Sequence, residues 1–299
     1  MKKTYYYGFI VIFCFLALAC VPQLNKKVNC GVSTYSQNLK TDVAWIVLEF
    51  NCRPMGWGSG FLVDKEKGIF RTNKHVSDMF NTLGPGSHKM FFNGKIYNVE
   101  IIKTSLLVDT ALVRITDSFN SFDFPEPKKF SETKARIGDR VLIEGLHVHP
   151  YRIRESDEAD GFKFAVIPIF RDIYRISALD LDKEVEVVFE RLEAEVTTLD
   201  KKIEVEGQGS GTAQNLRSVS NVYIEIKTIK DHKFPFGGLS GTVVRNSKLE
   251  TLGIFTAGPE QEYDPIAESQ DGFVLLKQVH RTAYITPIEA VEDLNSIIK

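Results

Sequence analysis

From residue 43 onward, apolar and polar positions alternate in short β-branched runs broken by turn residues, the signature of half-buried strands rather than helices. Val43–Phe50 is one such run and Gly60–Asp64 another, with Gly56-Trp57-Gly58-Ser59-Gly60 as a glycine-rich approach between them. Ile69–Asn73, Lys89–Phe92, Lys95–Lys103, Thr110–Ile115 and Arg140–Ile143 follow, and later Asn221–Ile229, Gly241–Arg245 and Leu252–Phe255. Glu184–Phe189 and Leu192–Thr198 carry i,i+4 charge pairs that would suit a helix, but Val185, Val187 and Phe189 alternate and favour strands. So many short strands predict an all-β barrel or sandwich. Only the end of the chain reads as helix. Thr286 stands as N-cap, Pro287 at the first helical position and Glu289 completing a capping box, followed by the stripe Ile288, Val291, Leu294, Ile297 and Ile298.

The first 41 residues break the pattern. Lys2 and Lys3 precede an apolar run from Tyr5 to Ala19 that is short for a membrane span and reads as a signal peptide over residues 1–19. The run ends Ala17-Leu18-Ala19-Cys20, which resembles a bacterial lipoprotein box except that Ala17 stands where leucine is usual. Acyl chains on Cys20 would tether a soluble body to the cell envelope, on its periplasmic or surface face. Ordinary cleavage and an uncleaved anchor are the alternatives. Residues 20–41 are polar and read as a tether. The acidic stretch Glu155–Gly161 reads as a solvated seam between two halves, residues 42–150 and 161–299. Gly207–Thr212 has no following lysine and so is not a phosphate cradle.

Composition narrows the classes further. The 299 residues include 37 basic and 39 acidic side chains, a formal charge of −2, which gives no electrostatic reason for nucleic acid as a partner. With 43% hydrophobic and 25% charged residues, the chain is neither disordered nor a polytopic membrane protein. Of the four cysteines, Cys14 lies in the apolar run and Cys20 would carry lipid; Cys30 and Cys52 are left, either bridged in an oxidising compartment or as two thiols.

Three segments carry the candidate chemistry: Thr72-Asn73-Lys74-His75-Val76, Asp109-Thr110-Ala111-Leu112-Val113, and Phe236-Gly237-Gly238-Leu239-Ser240-Gly241. In this order, with Gly138-Asp139-Arg140-Val141 and Leu252-Gly253-Ile254-Phe255-Thr256-Ala257 in support, the chain resembles the trypsin-like serine peptidases, in particular their bacterial HtrA-like branch. The resemblance spans residues 43–299 and implies two six-stranded β-barrels with the site between them. It makes Ser240 the nucleophile, His75 the general base and Asp109 the residue orienting the imidazole. The amides of Gly238 and Ser240 would form the oxyanion hole. Phe234, Phe255 and Thr256 would line the substrate pocket, with no acid at its floor, so small or apolar side chains are expected before the scissile bond.

Three departures accompany the resemblance. Thr242 follows Gly241 where the family has a second glycine, and Leu239 replaces the aspartate that pairs with a freshly cut N-terminus. Asp109 and Ser240 lie 131 residues apart, enough for extra loops or a hairpin, and the 59 residues after Ser240 leave no room for a PDZ module. No cofactor and no metal are expected: His147 and His149 could share one strand face, but no third ligand follows at a metal-site spacing, so they read as core or surface histidines. The function expected is proteolysis of protein or peptide substrates. The rival is a catalytically inactive peptidase fold that binds peptides or an envelope protein.

Overall fold

The computed structural model describes residues 32–37, 39–82, 86–150, 164–174, 185–204, 220–232, 235–259, 261–268 and 274–298. The expected signal segment, Cys20, the acidic stretch at 155–161, the glycine stretch at 207–212 and Phe234 lie outside them.

The first half is a closed antiparallel barrel. Its strands are β1 (Val43–Phe50), β2 (Arg53–Asp64), β3 (Ile69–Thr72), β4 (Ser87–Phe92), β5 (Lys95–Thr104) and β6 (Ala111–Ile115), joined in the order β1-β2-β3-β6-β5-β4. Helix α1 (Lys74–Thr82) follows β3. Ile46, Leu48, Leu62, Phe70, Met90, Phe92 and Val113 fill the interior. β1 is apolar on both faces because both are covered: Trp45 and Val47 point the other way and pack with Ile167, Phe170 and Val187 of the second half. Burial on two sides accounts for a continuous hydrophobic run where a half-buried strand would alternate.

The second half is built from β7 (Arg140–Pro150), β8 (Phe164–Ile167), β9 (Val185–Glu204), β10 (Ser220–His232), β11 (Val243–Arg245), β12 (Thr251–Ala257) and β15 (His280–Pro287). Six of these run β10-β15-β12-β11-β7-β9, and β9 pairs back onto β10, which closes a second six-stranded barrel with β8 attached to β9. The 20-residue β9 makes this closure: residues 185–195 pair with β7 and residues 194–204 with β10. The two runs expected there are one strand. An exposed hairpin, β13 (Tyr263–Glu268) and β14 (Val274–Gln278), stands off the barrel just before β15. The two-barrel, all-β architecture is the one the resemblance implies.

Four boundaries differ from expectation. β2 begins at Arg53, so the glycine-rich approach is itself strand, paired residue for residue with β1. β7 belongs to the second barrel, so the seam falls between Ile115 and Arg140 and not near residue 150; the long β7 is held by β9 along all of its 11 residues. The tether does not run to residue 41. Tyr35 donates its amide to Gly94 O at 2.9 Å, Ile96 donates to Ser33 O at 2.8 Å, and the Tyr35 ring packs on Phe91, pinning this segment to the barrel. Thr286 and Pro287 are strand, not cap. β15 continues through them to pair Thr286 with Ile254; a 3₁₀ turn (Ile288–Val291) follows, and α2 (Glu292–Ile298) then sets Leu294 against Ile69 and Leu112 of the first barrel.

One buried ion cluster ties the halves together. Arg245, on β11, is 1% exposed and reaches both carboxylate oxygens of Asp42 at 2.7 and 2.6 Å and Glu144 Oε2 at 2.6 Å. A guanidinium taken out of water needs such matched, bidentate partners. Cys52, beyond the end of β1, is disulfide-bonded, and its partner lies outside the described residues.

Candidate active site

The site is assembled by three chain segments. β3 ends at Thr72 and α1 starts two residues on, so His75 sits in the first helical turn and not at a strand end. Asp109 lies two residues before β6, the strand that pairs with β3, where Thr72 opposes Ala111. That register brings the two side chains together. His75 Nδ1 lies 2.6 Å from Asp109 Oδ2, and the His75 amide donates to Asp109 Oδ1 at 2.9 Å. The carboxylate therefore holds ring and backbone at once, fixing which ring nitrogen faces it. The His75 side chain is 48% exposed and lines a cleft, while Asp109 is only 18% exposed. Buried Asn73 anchors the segment by donating to Asp109 O at 2.8 Å and to Thr256 Oγ1 at 3.4 Å.

Ser240 arrives from the second barrel. The turn 236–242 is fastened by Leu239 N–H to Phe236 O (3.1 Å), Thr242 N–H to Leu239 O (2.9 Å) and Gly241 N–H to Phe255 O (2.9 Å). Ser59, on β2, donates its amide to Ser240 O at 2.7 Å and its hydroxyl to Gly238 O at 3.3 Å, so the first barrel grips the turn directly. Gly241 has φ 89°, and a Cβ there would lie 2.1 Å from Ser59 O and 2.4 Å from Thr72 Oγ1. No other residue fits where this turn passes the strand that leads to His75. The close approach packs the Ser240 turn against the Thr72–Asn73 segment that leads to His75. The serine hydroxyl donates to Thr256 O at 3.3 Å; it makes no hydrogen bond to His75.

Gly238 also has a positive φ, 101°, and Trp57 packs against the face a Cβ would occupy. Neither the Gly238 nor the Ser240 amide donates to another described residue. Two unpaired N–H groups on one tight turn are what an oxyanion requires.

Beside Ser240 opens a pocket of about 190 Å³, lined among others by Phe236, Phe255, Ala257, Val279, His280 and Thr282. Phe255, expected to line a substrate pocket, forms part of its wall. Thr256 does not line the pocket: strand alternation turns its side chain inward, where its hydroxyl meets Thr286 Oγ1 at 2.7 Å. Contrary to expectation, an acid does line it. Glu262 is committed, however, accepting from the Thr282 amide at 3.0 Å, the Thr282 hydroxyl at 2.8 Å and the Arg281 amide at 3.3 Å. Burial, with His232 nearby, lowers the pKa of His280. On the far side of His75, a cleft of about 200 Å³ carries the exposed Leu106 and Leu107. Sequence reading missed Glu262, His280 and these leucines because no short motif marks them; the hairpin and the 105–109 turn bring them in.

Behind the serine turn lies a second polar group. His147 and His149 on β7, Glu190 on β9 and His232 on β10 meet inside the second barrel, all buried. Burial alone would raise the Glu190 pKa. The hydrogen bond and charge of His147, with the contacts of His149 and His232, outweigh it and hold the group well below the usual carboxylate range. Burial pushes His149 down to about 4.

No family model matches the chain, and no curated protein matches it in sequence. Among solved structures it is similar to the Rv3671c protease from M. tuberculosis in its active form, with 15% identity over 87% of this chain and 81% of that one and a TM-score of 0.49. For the inactive form of the Rv3671c protease the figures are 15%, 86%, 88% and 0.46. Likeness at that level transfers no activity, and the chemistry below stands on this chain's own residues.

Proposed function

We propose that this protein is a serine endopeptidase working through Ser240, His75 and Asp109. The observation that carries the reading is the doubly fixed His75–Asp109 pair, with the Gly238–Gly241 turn packed against the Thr72–Asn73 segment that leads to it and the Gly238 and Ser240 amides without a partner among the described residues. Rotation about the Ser240 Cα–Cβ bond exchanges the Thr256 carbonyl for the open nitrogen of His75. His75 Nε2 takes the hydroxyl proton as Oγ bonds to the substrate carbonyl carbon, and the carbonyl oxygen becomes an anion facing the Gly238 and Ser240 amides. The imidazolium, balanced by Asp109, then gives its proton to the departing amine as the C–N bond breaks. Water repeats the sequence on the acyl-enzyme, restoring the serine.

The pocket of about 190 Å³, walled by Phe236, Phe255, Ala257 and Val279, suits a small or medium apolar side chain. Because Glu262 is saturated by Thr282 and Arg281, it offers little to a substrate lysine or arginine. Export with lipid on Cys20 belongs to the same proposal, supported by the Leu18-Ala19-Cys20 sequence and by the disulfide at Cys52, a bond of oxidising compartments. Detergent phase partition of the full chain against Cys20→Ser tests it.

One observation favours a non-cutting, peptide-binding protein: the Ser240 hydroxyl is engaged by Thr256 O rather than by His75. Labelling with a fluorophosphonate probe separates the two readings. Labelling of the wild type that disappears in Ser240→Ala supports the peptidase; an unlabelled wild type with a normal thermal transition supports binding alone.

A further inference from the structure

His147, His149 and His232 present ring nitrogens to one carboxylate. His147 Nδ1 lies 2.8 Å from Glu190 Oε1, and His149 Nε2 and His232 Nε2 lie 3.1 and 3.2 Å from Glu190 Oε2. One ligand atom from each of the four residues falls within 4.8 Å of every other. The four side chains come from three neighbouring strands and are between 0 and 3% exposed. Their sequence separations hide the group. His147 and His149 are two apart on one face of β7, but Glu190 reaches them through the β7–β9 register, which sets Glu190 opposite Gly145, and His232 comes from the last residue of β10.

Three imidazoles and a carboxylate form a donor set for a first-row divalent cation, with zinc favoured by nitrogen-rich, four-coordinate surroundings. A tetrahedron with arms of about 2.0–2.1 Å has edges of about 3.3–3.4 Å, so ligand atoms already within 4.8 Å of one another need only a modest contraction to enclose an ion. A carboxylate in a barrel interior also needs a compensating positive charge, since an uncompensated buried ion costs several kcal/mol. We propose that His147, His149, Glu190 and His232 form a structural Zn²⁺ site inside the second barrel.

Its position gives the site a task. A Cβ built on Gly238 would lie 3.6 Å from His147 Cδ2, and the His232 ring packs 5.5 Å from Phe236, which begins the serine turn and lines the pocket. The ion would clamp β7, β9 and β10 beneath the turn that carries Gly238 and Ser240, with no open coordination position and no part in the proton transfers. This metal site stands apart from the peptidase proposal, because its readout is metal content.

The experiment uses untagged full chain produced in zinc-supplemented medium. Elemental analysis should return about one Zn²⁺ per chain in both the wild type and Ser240→Ala. Removal by chelator dialysis should lower the thermal midpoint by roughly 10 °C or more, with recovery on adding Zn²⁺. Co²⁺ titrated into the stripped wild type should produce intense tetrahedral d–d bands that saturate at one equivalent. His149→Gln, if it folds, should lose the stoichiometric metal. A wild type that folds with negligible zinc, gives no Co²⁺ bands and melts alike with and without Zn²⁺ overturns the proposal, leaving a protonated imidazole as the counter-charge. Equal zinc in the wild type and a folded His149→Gln overturns it as well.

Discussion

Among the described residues, histidine meets a carboxylate at hydrogen-bond distance in two groups, and their settings are opposite. At the barrel interface His75 meets a single carboxylate, Asp109, with half of its side chain open. Inside the second barrel, three fully enclosed imidazoles share Glu190. An open ring with one fixed nitrogen can exchange a proton with a bound substrate, whereas an enclosed one can only hold something in place. The same residue types thus divide into a group proposed to act and a group proposed to support, and the division is made by burial and partner count. Asp109→Asn breaks the first group most severely. It keeps the shape but leaves His75 in the wrong tautomer, so probe labelling and peptide hydrolysis should fall about 10⁴-fold. With the His75 side chain half exposed, the unfolding free energy should change by only about 1 kcal/mol.

Glu190→Gln is the mirror experiment and should act mainly on stability. Removing the charge from a buried group costs about 3–5 kcal/mol when its partners remain, enough for a large drop in chemical-denaturation midpoint. Stripped of metal, the wild type should also weaken in acid, and the sign follows from two lowered pKa values. Unfolded His149 takes up a proton as pH falls through about 6.5, while the folded ring resists until about 4, so stability declines over that interval. Glu190 adds a loss that begins near its unfolded value of 4.5 and continues downward, since its folded carboxyl is held lower still. Denaturant titrations of the metal-stripped protein at pH 7, 5.5, 4.5 and 3.5 check both; a flat profile would place the cluster's charge elsewhere.

The His75–Asp109 contact was legible in the sequence, and little of the buried cluster was. His75, Asp109 and Ser240 each sit in a short segment whose neighbours carry the signal, because strand ends and a glycine turn must flank them. Glu190 and His232 carry no such flanks. They join His147 and His149 through pairing between strands 40 or more residues apart, and a single sequence does not reveal that register. Fold class was readable from alternation, yet β9 read as two runs because its halves serve different partners, and the end of β15 read as a helix cap because Thr-Pro-x-Glu suits both. Sheet pairing of Thr286 with Ile254 overrides that local preference.

Gly238→Ala probes the contact between the two groups. With φ at 101°, and Trp57 within 2.9 Å and His147 within 3.6 Å of the new methyl, the turn must shift. Misplacing one oxyanion donor should slow acylation about 10²–10³-fold. Shortening Trp57 in the same chain relieves the clash but not the positive φ, so rescue should be partial. Full rescue by Trp57→Ala would mean that crowding alone mattered.

Thr256→Val should have the smallest effect, and it separates support from specificity most finely. The Thr256 hydroxyl donates to Ile254 O at 3.1 Å, meets Thr286 Oγ1 at 2.7 Å and receives Asn73 Nδ2 at 3.4 Å; it does not line the pocket. Valine keeps the volume, deletes these bonds and leaves the Thr286 hydroxyl short of a partner, a cost of about 1–2 kcal/mol in stability. Because the Thr256 carbonyl and the pocket wall stay in place, the ranking of substrates by their residue before the cut should not change, and labelling should slow only a few-fold through Asn73. A cleavage profile that shifts in Thr256→Val while the melting point holds would return this side chain to the pocket and put the inward direction of β12 in question.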